Sequence, residues 1–328
     1  MHVVRRSVAV LAAGVLVAAV VAGAAGAANK PYKVAYLIGG LGNTYLTAQV
    51  DAAKAAGKAR GATVDVIAGD FTPATQLTQI QDALSSGKYD AIVAETLDGG
   101  TVCKPLTAAA KKLPVSIVTS PICGSNPYTA GTVKFSGRID FQDGQTTAKL
   151  ACQALNGAAA EIAFVTGPVA LTSVQLFNKG FVAGIKATCP TAKIVASPAG
   201  NYDPAASLAA AQDVLQAHPN IGLIATGADN KTVAVAKGLK SAGKLGSVKL
   251  VGYGGTKEAF ALFKAGTMFG TVMLLPKQES AVGVNAVLDA LDGKKVMPKI
   301  DLEKNDPIFK GKGNIITKAN VAQFTAQW

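Results

Sequence analysis

Residues Gly69 to Asp98 read GDFTPATQLTQIQDALSSGKYDAIVAETLD, and residues Gly200 to Asp229 read GNYDPAASLAAAQDVLQAHPNIGLIATGAD. The two stretches align without a gap at an offset of 131 residues, so that Pro73 falls on Pro204, Leu77 on Leu208, Gln81-Asp82 on Gln212-Asp213, Leu84 on Leu215 and Asp98 on Asp229. In each copy apolar residues recur at i, i+3 and i+7 (Leu77, Ile80, Leu84; Leu208, Ala211, Leu215), which makes one stripe of an α-helix. Pro73 and Pro204 suit the first helical turn, where the missing N–H loses nothing. A continuous apolar run follows, AIVA or GLIA, the pattern of a strand buried on both faces of a parallel sheet. Each copy is an αβ piece of a βαβ fold, and the chain carries it twice.

Working outward, strands are expected near 33–38, 63–68, 90–94 and 115–119, with helical patterns between them such as Leu46, Val50, Ala53 and Gly57. A second series is expected near 161–166, 193–197, 221–225 and 248–253. Strands alternating with helices argue for doubly wound parallel sheets, and two series argue for two Rossmann-like lobes. In open parallel sheets a ligand sits beyond the carboxyl ends of the strands. That rule selects Gly40 to Tyr45, Asp70-Phe71, Glu95, Thr119-Ser120, Pro168 to Gln175, Asn201-Tyr202, Asp229 and Tyr253-Gly254 as the walls of one cleft. Phe71 and Tyr202 are equivalent under the duplication, so a flat ligand edged by aromatics is expected.

The first residues read as an export leader over 1–28: Arg5 and Arg6, an uncharged apolar run from Ser7 to Ala28, and an Ala25-Gly26-Ala27 cleavage site. The run is also long enough to be an uncleaved anchor. No Cys stands at the cleavage region, which argues against a lipid anchor. The formal charge of the whole chain is +12, but 28 of its 32 basic residues are Lys, without a Lys/Arg run interleaved with aromatics. That is the balance of a solvated surface and disfavours nucleic acid. Cys103, Cys123, Cys152 and Cys189 form no CxxC pair and fit an oxidising compartment, with three pairings open in principle.

With these residues assembled, the chain resembles the type I periplasmic solute-binding proteins of bacterial ABC transporters, in particular the ribose- and galactose-binding branch. The resemblance rests on LGNTYL after the first strand, PVSIVTS at the fourth, NKGFVAGI, AAQDVLQAHPNIGLIATGADN and KLVGYGGT, in that order and spacing. It implies two lobes joined by three hinge crossovers, 29–139 plus 275–304 and 140–274 plus 305–328, closing on a small molecule. It implies an exported periplasmic monomer that delivers solute to a permease, or presents it to a membrane sensor, without a cofactor or catalytic activity. Each lobe then holds two cysteines, which favours Cys103 with Cys123 and Cys152 with Cys189.

Carried over residue by residue, Asn43 and Tyr45 match a polar residue and a stacking aromatic, and Tyr202 an aromatic of the second lobe. Gln175 and Phe177 match the stretch that usually supplies an Arg, and Asp229 matches the edge of an Asn-Asp pair. Phe71 and Glu95 join the candidate ligand-binding set from the strand-end rule. The departures are Thr119-Ser120 where sugar binders commonly have Asp-Arg, Gly254 where they have an Asp, and Leu274 where they have a Gln. A buried sugar hydroxyl without a partner costs roughly 1–3 kcal/mol. The implied ligand is therefore uncharged and either sugar-like or less hydroxylated, with aromatic or alkyl character as one option, unless Glu95, Arg138 or Asp140 restores the missing grip.

Other readings compete at single residues. Asn43 and Asp98 are favoured helix N-caps, and Asp229 is either a cap or a ligand contact. Tyr45, Phe71, Phe177 and Tyr202 are core or cleft, with at least two expected in the cleft. Glu95 is an acceptor or a rim group. Hydrolytic chemistry would need a His, and His218 sits in a helix-to-strand connection away from the cleft. The turn Gly40-x-Gly42 supplies two glycines of a dinucleotide fingerprint and Asp70 follows the second strand, but the third glycine position is Tyr45. An NAD(P)-dependent enzyme is the weaker alternative, and the glycines are expected instead to let the backbone approach a small solute.

Overall fold

A computed structural model describes residues 31–124, 127–302 and 306–328. The leader expected over 1–28 and the lobe boundary expected between 304 and 305 lie outside them. Among the described residues no helix is long and apolar enough to cross a membrane.

The first lobe runs β1 (Lys33–Ile38), α1 (Thr44–Ala59), β2 (Thr63–Ala68), α2 (Pro73–Ser85), β3 (Ala91–Glu95), α3 (Gly99–Ala109), β4 (Val115–Thr119) and β5 (Lys134–Gly137). The second runs α4 (Asp140–Leu155), β6 (Glu161–Val165), α5 (Thr172–Thr188), β7 (Lys193–Ala196), α6 (Pro204–Ala217), β8 (Ile221–Thr226), α7 (Asp229–Ser241), β9 (Lys249–Gly254), α8 (Lys257–Lys264) and β10 (Gly270–Met273). Then α9 (Pro276–Leu291) and β11 (Lys299–Asp301) return to the first sheet, and β12 (Ile315–Thr317) joins the second. The sheets have matching orders, β2-β1-β3-β4-β5-β11 and β7-β6-β8-β9-β10-β12. The first is parallel throughout, and β12 alone runs antiparallel in the second. The chain thus passes between the sheets three times, after β5, after β10 and after β11.

Strands β3 and β4 are buried at every position, as interior strands of a parallel sheet covered by helices must be. The short strands β5, β10, β11 and β12 carry too few residues, several of them polar or Gly, to show a pattern in the sequence. They form because neighbours supply the register. Pro73 and Pro204 occupy the first turns of α2 and α6. The buried face of α2 is rotated from the expected stripe: Gln76, Ile80 and Ala83 are buried, while Leu77 and Leu84 flank them. Gln76 is drawn in because its amide bridges the end of β3, donating to the Glu95 carbonyl at 2.7 Å and accepting the Leu97 N–H at 2.9 Å.

The second lobe is drawn together by backbone contact between α4 and α5. A Cβ on Gly180 would lie 2.0 Å from the Phe141 carbonyl oxygen, and one on Gly144 would lie 2.1 Å from that of Phe177. Cys152 and Cys189 form a disulfide beside this contact, and Cys103 joins Cys123 across the end of α3. Each bridge stays within one lobe, so neither restrains motion between lobes. Lys231 is fully buried on α7, its Nζ without a hydrogen-bond partner among the described residues and 3.8 Å from the centroid of the Tyr202 ring. Burial pushes its pKa down from 10.5 to about 7.

Two outcomes follow from this packing. Gly180→Ala is expected to lose about 1–3 kcal/mol, because overpacking here meets backbone rather than a flexible side chain; an unchanged melting temperature would show the helices free to part. For Lys231 the unfolded chain holds a proton that the folded chain lacks between about pH 7 and 10.5, so this residue makes stability rise across that window. Lys231→Met is expected to add ~2–4 kcal/mol near pH 7 and to flatten the rise in denaturant titrations at pH 7 to 10. A variant less stable than the parent at pH 7 would contradict an unpaired buried amine.

Candidate functional site

A cavity of about 350 Å³ lies at the carboxyl ends of both sheets, within the size range of small-ligand sites. The first lobe lines it with Gly42 to Leu46 after β1, Phe71 after β2, Glu95 to Leu97 at the end of β3, Thr119-Ser120 at the end of β4, and Arg138 after β5. The second lobe contributes Leu171, Ser173, Tyr202, Pro204, Gly227 to Asn230, Tyr253-Gly254, Thr256 and Leu274, and Trp328 adds an indole from the final segment. The duplicated strand-end loops face one space, as the shared topology requires.

Arg138 is the electrostatic centre. Its Nη1 donates to the Tyr45 hydroxyl at 2.9 Å, and that hydroxyl donates to Glu279 on α9 at 2.5 Å. Glu279 also accepts from Gln49 and Thr119, each at 3.0 Å. On the other side the Arg138 Nε lies 3.4 Å from Asp140 and 3.7 Å from Asp143, both on α4, and the Tyr253 hydroxyl donates to Asp143. The guanidinium also stands 5.6 Å and 5.8 Å from the ring centroids of Tyr45 and Tyr253. Burial opposes its charge, but Tyr253, Tyr45, Asp140 and Glu279 outweigh that and hold it protonated. One connected network thus runs from α1 and α9 of the first lobe to α4 and β9 of the second.

Glu95 is buried, with one carboxylate oxygen accepting the Gly39 N–H at 2.8 Å and the other without a partner among the described residues. Burial raises its pKa, against the pull of that N–H and of Arg138. Burial also raises that of Asp140, against Arg138 and Ser120. The Asp229 carboxylate is saturated by the N–H groups of Gly255 and Thr256 and the hydroxyls of Thr232 and Thr271. It is neither a helix cap nor an open ligand group. It also explains Gly254, where an added Cβ would lie 2.8 Å from that carboxylate.

Phe71 and Tyr202 both adopt left-handed backbone, with φ of 64° and 57°. Non-glycine residues hold such conformations at a cost of about 1–3 kcal/mol, and they cluster at functional sites. The glycine turn is explained in part by Phe71, since a Cβ on Gly40 would sit 2.6 Å from its ring. Of Gly39, Gly40 and Gly42, only Gly42 borders the cavity, so the first two make room for side chains rather than for a solute.

Among the expected contacts, Asn43, Tyr45, Phe71, Glu95, Thr119, Ser120, Tyr202, Asp229, Gly254 and Leu274 border the cavity. Asn43 also caps α1, accepting the Leu46 N–H at 2.9 Å. Gln175 and Phe177 do not reach it. The first turn of α5 directs Gln175 outward, where its amide donates to the Val169 carbonyl at 2.9 Å. Phe177 is core, stacked on Phe164 and edge-on to Tyr253, and borders only a small annex behind Arg138. From that region Leu171 and Ser173 line the cavity instead. Asp98 caps α3, as its position suggested. His218 ends α6, 3.7 Å from Glu161 at the start of β6, the edge opposite the cleft. The sequence reading did not place Thr96, Asn230, Glu279 or Trp328. Thr96 and Asn230 each sit one position beyond a chosen residue, whereas nothing near Glu279 or Trp328 in the chain marks them.

A family model described as a periplasmic binding protein domain matches residues 34–295. The D-allose-binding periplasmic protein of Escherichia coli (strain K12) is 30% identical over 248 residues, 74% of this chain and 78% of that protein. The ribose import binding protein RbsB of Salmonella typhimurium is 26% identical over 293 residues, 88% and 95% of the two chains. In fold, a carbohydrate transporter solute-binding protein of Agrobacterium radiobacter, solved with D-arabinose, superposes with a TM-score of 0.77 at 21% identity, covering 89% of this chain and 96% of that one. An ABC transporter solute-binding protein of Mycobacterium smegmatis, solved with glycerol, gives 0.75 at 22% identity over the same shares. Two parallel-sheet lobes, a cleft at their strand ends and a family match over most of the chain lead to one conclusion: this chain belongs to the periplasmic binding protein family.

Proposed function

We propose that the protein captures a small sugar between its lobes in the periplasm and, as a monomer, hands it to the permease of an ABC transporter. The observation that carries this reading is the cleft itself. Polar groups with open hydrogen-bonding capacity (Glu95, Thr96, Ser120 and Arg138) stand beside the rings of Phe71 and Tyr202, the combination that binds a hydroxylated ring with an apolar face. The ligands named for the allose- and ribose-binding relatives support the same class. The lobes, 29–139 plus 275–304 and 140–274 plus 305–328, close about the crossovers near 139–140 and 274–275. The closed form is favoured by as much as the sugar binds it better than the open one.

A thermal-shift and calorimetry panel of D-ribose, D-allose, D-arabinose, glycerol and myo-inositol tests this. At least one sugar or polyol is expected to raise the melting temperature. Saturation at a hundredfold over Kd adds about 2.7 kcal/mol by linkage. Glu95→Ala is expected to abolish the shift while the fold persists. Silence across sugars and polyols, with a shift from another solute class, would contradict the proposal.

A further inference from the structure

The two walls of the cleft are chemically unequal. On the first lobe Asn43, Glu95, Thr96, Ser120 and Arg138 keep part of their hydrogen-bonding capacity: among the described residues Glu95 has an oxygen without a partner and the Thr96 hydroxyl is buried without one, Ser120 donates to Asp140 and keeps its acceptor, and Arg138 spends Nη1 on Tyr45 and Nε on the Asp140 and Asp143 carboxylates, which leaves Nη2. On the second lobe the charged and amide side chains are already engaged. Asp229 takes four donors, and the Asn230 amide is used on both sides, by the Tyr202 carbonyl and the Lys231 N–H. Thr256 caps α8 through Ala259, and Tyr253 is held by Asp143. Among the described residues the hydroxyls of Ser173 and Tyr202 make no hydrogen bond and Thr256 and Asn230 keep one donor each, beside the apolar surfaces of Leu171, Ala228, Leu274 and the Tyr202 ring and with no open charged group. The duplication shows the same divergence. Glu95 and Thr96 fall on Thr226 and Gly227, where the Thr226 hydroxyl is turned into a bond with Thr232 and Gly227 offers no side chain.

Resting on the sugar-binding reading above, we infer that the ligand is an amphipathic sugar, a deoxy-sugar or an O-alkyl glycoside. Its hydroxylated edge meets the first lobe at Glu95, Thr96, Ser120 and Arg138. Its deoxy carbon or alkyl group meets Leu171, Ala228 and Leu274 on the second. A fully hydroxylated hexose would bury hydroxyls against that wall without partners, and such a loss is read directly as weaker binding.

Calorimetry on the whole protein with matched pairs tests this: 6-deoxy-D-galactose against D-galactose, 6-deoxy-L-mannose against L-mannose, and methyl β-D-ribopyranoside against D-ribose. The tightest binder is expected to be a deoxy or O-methyl member, about tenfold or more tighter than its parent. A fully hydroxylated parent as the tightest binder would overturn the inference and leave sugar capture standing. No binding of any sugar, with uptake of another solute class, would overturn both. Ala228→Asn and, separately, Leu274→Gln add amides to the second wall. Each, checked for a retained melting transition, is expected to shrink the preference below threefold, and a preference unchanged in both would place its source elsewhere.

Discussion

A single buried arginine must be neutralised from both lobes, and much of the site is arranged around that requirement. Arg138 stands just after β5, where the chain first leaves one sheet for the other, and its partners come from α1, α9, α4 and β9. A buried ion pair is a weak source of net stability, because desolvation offsets much of the attraction, but removing one partner leaves an uncompensated charge. The network therefore acts chiefly on geometry. It fixes where the first crossover sits, how Tyr45 and Tyr253 are turned, and which face of the guanidinium borders the cavity. It spans both lobes, and Arg138 at its centre borders the cavity.

Around this centre the duplicated halves have taken different parts. Both retain the Pro-led helix, the buried strand and an aromatic in left-handed backbone at the strand-end turn, Phe71 and Tyr202. They diverge where side chains meet the cavity. Gln76 in the first copy is a bridge that positions Glu95, and its counterpart Ser207 is turned back on its own loop, bonding the carbonyls of Gly200 and Asp203. Asp98 remained a cap, while its counterpart Asp229 became an internal strut whose carboxylate leaves no space for a side chain at Gly254. Each lobe carries one disulfide of its own, and neither bridge crosses to the other lobe.

Much of this was legible in the residues. Long apolar runs and helical stripes marked the eight principal strands of the two series, and the rule that ligands meet the carboxyl ends of parallel strands selected most of the cavity wall. What escaped has a common physical origin in long-range pairing. The short strands β5, β10, β11 and β12 are defined by their neighbours rather than by their own pattern. Glu279 reaches the site from α9, some 230 residues beyond Tyr45 in the chain, and Trp328 from the last segment; no local spacing signals either. At α5 the outcome is mixed: the strand-end rule chose Pro168 to Gln175, within which Leu171 and Ser173 line the cavity, while Gln175 and Phe177, also matched by resemblance, are turned away from it by the helix. The glycine turn mixed both cases, since Gly40 answers to Phe71, a residue distant in sequence and adjacent in space.

A ligand that enters the space between the lobes beside Arg138 meets a reporter that the chain itself carries. Trp328 is the single tryptophan of the sequence, borders the cavity and meets the Tyr45 ring edge-on at 5.5 Å. The direct measurement is Trp328 emission during titration with whichever sugar stabilises the protein thermally. A saturable change is expected whose midpoint equals the calorimetric Kd and which disappears in Glu95→Ala. Thermal stabilisation by a sugar with Trp328 emission unmoved, and with Glu95→Ala binding as tightly as the parent, would contradict ligand entry beside Arg138.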